Sequence, residues 1–110
     1  SDRIVTGGEN VSPFEVESKL NKLPHIKEAA VFGIRDKEWG QKIVAVVVTQ
    51  DGETINSASI KESLKQNLAD YKVPKEIIQV HALPKTRTDK VVRSKLPQLF
   101  LDRKEQKENS

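Results

Sequence analysis

The chain contains no cysteine and no methionine. Without thiols there is no disulfide framework, no thiolate metal site and no cysteine nucleophile. The two histidines, His25 and His81, stand far apart with no ligand spacing around them, so both read as structural or surface residues and no metal ligand is expected. Aromatic residues make up only 5% of the chain, with a single Trp and a single Tyr. No aromatic pair on a strand is available to stack bases, and no Gly-rich motif is available to clamp RNA. No apolar run approaches the roughly 20 residues that span a bilayer, and no signal peptide opens the sequence, so a cytoplasmic protein is expected. The chain opens on Ser1 rather than an initiator Met, which suggests a fragment of a longer protein.

The 110 residues suit one domain, and a hydrophobic content of 35% predicts one small core rather than two. Charged residues account for 32%, the net charge is +3 and the isoelectric point is about 9.2. Such a balance favours anionic ligands such as nucleotides, but falls well short of a typical nucleic-acid binder. A small basic module for RNA or a protein partner remains an alternative on composition.

Arg3–Thr6 reads as a short strand broken by Gly7 and Gly8. Ser12 then reads as an N-cap, with Pro13 at the first helical position, Glu15 completing a capping box, and Val11 and Val16 at the hydrophobic-staple positions. The helix carries Val16, Leu20 and Leu23 on one face and stops at Pro24. Residues 26–34 alternate as a strand, with Ala30, Phe32 and Ile34 on one face and Ala29, Val31 and Gly33 on the other. A charged connector holding Trp39 leads into residues 41–49, a β-branched run suited to a strand covered on both faces and antiparallel to its predecessor. A second helix is expected from Asn56 or Ser57 to Tyr71, striped by Ile60, Leu64, Leu68 and Tyr71, and ended by Val73-Pro74. Lys72 then suits the negative end of the helix dipole. Residues 76–80 form a third strand, and a short helix is expected from Val91 to Leu101. Residues 102–110 are expected to be a disordered tail. The fold class is α+β: a small three-stranded, mainly antiparallel sheet flanked by helices, with a short N-terminal strand or hairpin.

Between the third strand and the last helix lies Leu83–Arg93, LPKTRTDKVVR. Proline fixes its entry, its polar tract has neither helix nor strand period, and it carries Lys85, Arg87, Lys90 and Arg93. It reads as an exposed loop presenting cations, either a solvated basic connector or a phosphate site.

Four stretches in order, SDRIVTGGENVSPFEVE, DKEWG, YKVPK and LPKTRTDKVVR, resemble the C-terminal domain of the adenylate-forming superfamily, in particular its acyl-CoA synthetases and ligases. The resemblance covers nearly all of residues 1–101. It implies a mobile lid on a large N-terminal domain that binds ATP, Mg²⁺ and a carboxylic acid. It also implies two half-reactions: carboxylate attack on the α-phosphate of ATP, then attack of the coenzyme A thiol on the acyl-adenylate. The lid rotates between them and presents a different face to each.

By this resemblance Lys90 matches the catalytic lysine, whose ammonium stabilises charge building on the α-phosphate oxygens. Lys85 and Arg87 would add general electrostatic support. Gly7, Gly8 and Glu9 match the loop lining the pantetheine tunnel, and Trp39, Tyr71, Lys72 and Lys75 match positions near the nucleotide end of coenzyme A. Two departures stand out. Asp89 replaces the Gly usual before the catalytic lysine, stiffening the loop and setting a carboxylate beside the ammonium. Ser1 occupies the position where relatives often carry the Asp or Lys of the hinge. The alternative within the superfamily is a lid that delivers acyl groups to a carrier-protein phosphopantetheine, or that stops at the adenylate.

Overall fold

The computed structural model describes residues 2–109; the hinge position Ser1 lies outside them. The elements are β1 (Ile4–Thr6), β2 (Glu9–Val11), α1 (Pro13–Asn21), β3 (Ile26–Asp36), β4 (Gly40–Thr49), α2 (Ser57–Lys65), β5 (Glu76–Gln79) and α3 (Leu96–Glu108). The three expected strands are β3, β4 and β5. The N-terminal hairpin β1–β2 joins them through a bridge from Thr6 to Gly40, which makes a five-stranded mixed sheet. β3 and β4 pair antiparallel along almost their whole lengths, while β5 runs parallel to β4. The parallel pair needs a crossover, and α2 supplies it. β1 and β5 share one edge of β4; β3 covers the other edge and leaves its own far side free.

The expectation of a single core is corrected by the burial pattern. Alternation along β3 and β4 sends side chains to both faces of the sheet, and each face is covered. Ala29, Val31, Ile43, Ala45 and Val47 pack against Val16 and Leu20 of α1 and Leu64 of α2. Ala30, Phe32, Val44 and Val46 pack against Leu96 and Phe100 of α3. Phe32 and Phe100 meet edge to face, with centroids 6.1 Å apart and an interplanar angle of 82°.

Three local expectations also change. Ser12 occupies the N-cap and Val11 and Val16 are buried as the staple requires, but no capping-box bond forms, because Glu15 turns away to accept from Lys72 Nζ at 3.0 Å. α2 stops at Lys65, and Asp70–Lys72 forms a separate 3-10 turn, so Lys72 is not on the end of that helix. α3 begins at Leu96 rather than Val91, and runs to Glu108 through residues expected to be disordered. Tertiary contacts hold this extension: Arg103 Nε donates to Gln79 O at 3.1 Å, and Lys104 pairs with Glu76 at 2.9 Å.

Candidate functional site

The basic loop is a tight hairpin rather than a loose connector. Lys85 and Val91 form a bridge, Val92 N donates to Pro84 O at 2.8 Å, and Thr86 N donates to Lys90 O at 2.8 Å. Asp89 N donates to Thr86 O at 3.0 Å, and Lys90 N donates to Thr86 Oγ1 at 3.1 Å. Asp89 closes the turn with φ of 68°, in the left-handed region. Glycine enters that region at no steric cost, and Asp is among the few other residues that tolerate it. The loop thus demands the backbone geometry of glycine at the position where this chain carries Asp89.

The four cations of this segment do not share one fate. The Lys85 ammonium pairs with Glu28 of β3 and with Asp89 at 3.3 Å. Its hydrogen bond to Glu28 is the main cause that holds its pKa above the ordinary lysine value. Arg93 is folded back onto the free edge of β3: Nη1 donates to Glu17 Oε2 at 2.9 Å, Nη2 donates to Val31 O at 2.5 Å, and the guanidinium lies 5.0 Å from the Phe14 ring centroid. Lys90 and Arg87 are exposed, and among the described residues Lys90 makes no ion pair. Asp89 directs its carboxylate to Lys85, so the expected neighbouring anion does not neutralise Lys90.

The other set of candidate residues meets at the edge of β4 that β1 and β5 share. Thr6, Gly7, Glu9, Trp39, Asp70, Tyr71 and Lys75 line a cavity of about 280 Å³. Asp36 Oδ2 accepts from Trp39 N at 3.0 Å and from Glu38 N at 3.0 Å, which caps the connector that carries the indole. Gly7 N donates to Trp39 O at 2.8 Å. Gly7 has φ of 57°, and a Cβ there would come within 3.0 Å of Trp39 Cε3, so close approach to the indole requires glycine. Lys75 is set by its backbone: its N donates to Ile43 O at 2.8 Å and its O accepts from Lys61 Nζ at 2.6 Å. Its ammonium stands 4.5 Å from the Trp39 ring centroid. Trp39 is 38% and Tyr71 43% exposed, which leaves both rings accessible.

Two expected members lie apart from this cavity. Lys72 is committed to Glu15, and that hydrogen bond is the main cause raising its pKa above the ordinary value. Gly8, with φ of 82°, has open space on its Cβ side and does not line the cavity. Sequence reasoning missed Thr6 and Asp70 in the cavity wall, and Glu17 and Glu28 as partners of the hairpin. Asp70 stood beside Tyr71 and could have been read from it; the two glutamates carry no local signal. Among the described residues no group of three or more His, Cys, Asp or Glu gathers to hold a metal ion, and no helix is long and apolar enough to cross a membrane.

Residues 15–90 match the model of the AMP-binding enzyme C-terminal domain. The chain belongs to that family. It is 40% identical over 98 residues to the indoleacetate–CoA ligase of Aromatoleum aromaticum, covering 89% of this chain and 19% of the relative. It is 43% identical over 96 residues to a 2-succinylbenzoate–CoA ligase of Listeria monocytogenes, covering 87% of this chain and 20% of the relative. Among solved structures, apo MatB from Rhodopseudomonas palustris superposes with a TM-score of 0.85 at 37% identity, over 91% of this chain and 20% of that one. The chain therefore spans about a fifth of the length of the relatives it matches, and it carries the fold and position of their C-terminal domain.

Proposed function

We propose that this chain is the mobile C-terminal domain of an ATP-dependent, AMP-forming acyl-CoA ligase. The observation that carries the reading is the separation of two chemically different surfaces. The Lys90 hairpin is fixed along the free edge of β3, while the Trp39 cavity lies on the opposite side of β4, where β1 and the turn before β5 meet.

In the adenylating pose Lys90 meets the α-phosphate and the attacking carboxylate. An unpaired ammonium on a flexible stem, at the tip of a braced hairpin, suits a transition state that gathers charge on phosphate oxygens. In the thioester-forming pose Gly7 and Glu9 flank the pantetheine arm, Trp39 or Tyr71 stacks on adenine, and Lys75 meets a phosphate. Aromatic faces beside one accessible lysine fit a nucleotide. Lys72 adds to this field only if it leaves Glu15. In this reading ATP and Mg²⁺ are held chiefly by the large N-terminal domain.

The acid is chosen outside this domain. The chain is 40% identical to the indoleacetate ligase and 37% identical to an oxalate–CoA ligase of Arabidopsis thaliana, two relatives named for very different acids. The isolated chain is accordingly expected to fold, but neither to hydrolyse ATP nor to form a thioester. Free coenzyme A is the acceptor in this reading, because the Trp39–Lys75 pair suits its nucleotide end. AMP release should depend on coenzyme A. Indifference to it would favour delivery to a carrier protein, or a halt at the adenylate.

The deciding experiment compares the full-length parent with its Lys90→Ala variant in two assays. Carboxylate-dependent ATP–pyrophosphate exchange should collapse. Thioester formation from pre-made acyl-adenylate and coenzyme A should survive. Exchange that persists in the variant removes Lys90 from the chemistry.

A further inference from the structure

At Val31 the free edge of β3 is closed by side chains instead of a further strand. Glu17 Oε2 accepts from Val31 N at 2.8 Å, and Arg93 Nη2 donates to Val31 O at 2.5 Å. Glu17 Oε2 also accepts from Arg93 Nη1 at 2.9 Å, so one backbone peptide edge, one carboxylate and one guanidinium form a closed set. The guanidinium fork can reach two acceptors at once, which an ammonium cannot do with the same fixed geometry. Phe14 packs against the guanidinium, and the Glu17 side chain is only 15% exposed. Arg93 is thereby fixed by α1 and β3 together.

Arg93 lies three residues after Lys90. Between them the chain is extended and tied back to the first stem, through the Lys85–Val91 bridge and the bond from Val92 N to Pro84 O. Three residues reach at most about 10 Å. Little slack separates the fixed guanidinium from the hairpin tip.

We propose that Glu17 and Arg93 are the positioning pair for adenylation: they set where Lys90 stands relative to the sheet without touching substrate. The inference rests on the reading of Lys90 given above. A displacement of about 1 Å at a reacting group can cost roughly a hundredfold in rate, so loosening this anchor should act on the step that uses Lys90. The thioester step uses the other side of the sheet and should be spared. Glu28 and Lys85 brace the first stem, where Asp89 gives that lysine a second carboxylate; among the described residues Glu17 is the one carboxylate paired with Arg93.

The test uses the full-length parent with Glu17→Gln, Arg93→Gln, Arg93→Lys and the double Glu17→Gln/Arg93→Gln, beside Lys90→Ala. Glutamine at residue 17 keeps an acceptor for Val31 N and removes the charge. Each single Gln variant should lower pyrophosphate exchange by roughly 10- to 100-fold with thioester formation from pre-made adenylate unchanged. The double variant should be little worse than either single one, as expected of residues acting as a unit. Arg93→Lys should recover only part of the loss. Equal loss in both half-reactions would make the pair merely structural and overturn the proposal. Loss in Arg93→Gln but not in Glu17→Gln would overturn it too, since Arg93 would then act alone. If Lys90→Ala itself leaves exchange intact, the underlying reading has failed; if Lys90→Ala abolishes exchange while the pair variants do not lower it, only this inference has.

Discussion

The Lys75 ammonium stands 4.5 Å from the centroid of the Trp39 ring, inside a cavity also lined by Tyr71 and Asp70. The lysine lies over one face of Trp39, so in the proposed thioester-forming pose a base would use the remaining surface of Trp39 or turn to Tyr71. Trp39→Ala removes both the stacking face and the partner of Lys75. Base–aromatic stacking contributes about 1–3 kcal/mol, so the KM for coenzyme A should rise roughly 5- to 150-fold, with pyrophosphate exchange unaltered. Lys75→Gln should raise the same KM by less. A Trp39→Ala enzyme with an unchanged KM for coenzyme A would remove this cavity from the acceptor site.

Asp89 holds its φ of 68° at the corner of the Lys90 hairpin. A β-branched side chain is strained there, and a left-handed residue without compensation costs about 1–2 kcal/mol. Asp89→Val should destabilise the domain by about that amount, while Asp89→Gly should fold normally, exchanging the contact with Lys85 for relief of strain. Urea unfolding of the two variants measures the difference. Equal stability of Asp89→Val and wild type would mean that the hairpin abandons the left-handed corner.

Gly33 matters for space and not for its dihedral angle. A Cβ there would sit 2.7 Å from Gln41 Nε2 and 3.0 Å from Ile4 Cγ2. Gln41 Oε1 accepts from Val5 N at 2.8 Å, which ties β1 to the sheet body. Gly33→Ala should push Gln41 aside and release that amide, at a cost of about 1 kcal/mol. Faster hydrogen exchange at Val5, shared with Gln41→Ala and not additive with it, is the expected signature. Unchanged protection at Val5 would show that Gln41 finds room to stay.

Glu76 joins two lysines, Lys42 at 2.5 Å and Lys104 at 2.9 Å. Burial raises its pKa, but the hydrogen bonds from Lys42 and Lys104 together outweigh burial and leave it below its ordinary value of 4.5. Its contribution to stability is therefore complete above that value and fades as pH falls through the depressed pKa. Lys72 and Lys85 have raised values, so their contribution is complete below the ordinary 10.5 and fades as pH rises through the raised pKa. Stability measured against pH should show both shoulders. Glu76→Gln should flatten the acid one alone; an unaltered acid shoulder in that variant would assign it to other carboxylates.

The sequence by itself determined the strands, their faces and most of the helices. The β-branched run of β4 and the alternation of Ala29 to Ile34 depend on local period, which backbone geometry converts directly into facing. Pro13, Val11 and Val16 likewise marked the start of α1 by purely local sterics. The motif order also pointed to an exposed Lys90 and to most of the residues that line the Trp39 cavity, because each of those motifs is a short local segment. Tertiary structure alone decided which cations are available. Lys72 and Lys75 look alike in sequence, yet Glu15 takes one and leaves the other over Trp39. Arg93 reads as a fourth exposed cation until Glu17, 76 positions away, and Val31 O fix it. The same holds for α3, whose polar end is helical because Gln79 and Glu76 give Arg103 and Lys104 somewhere to bind. Charge partners across such separations have no period to read; they are set only when packing brings the elements together.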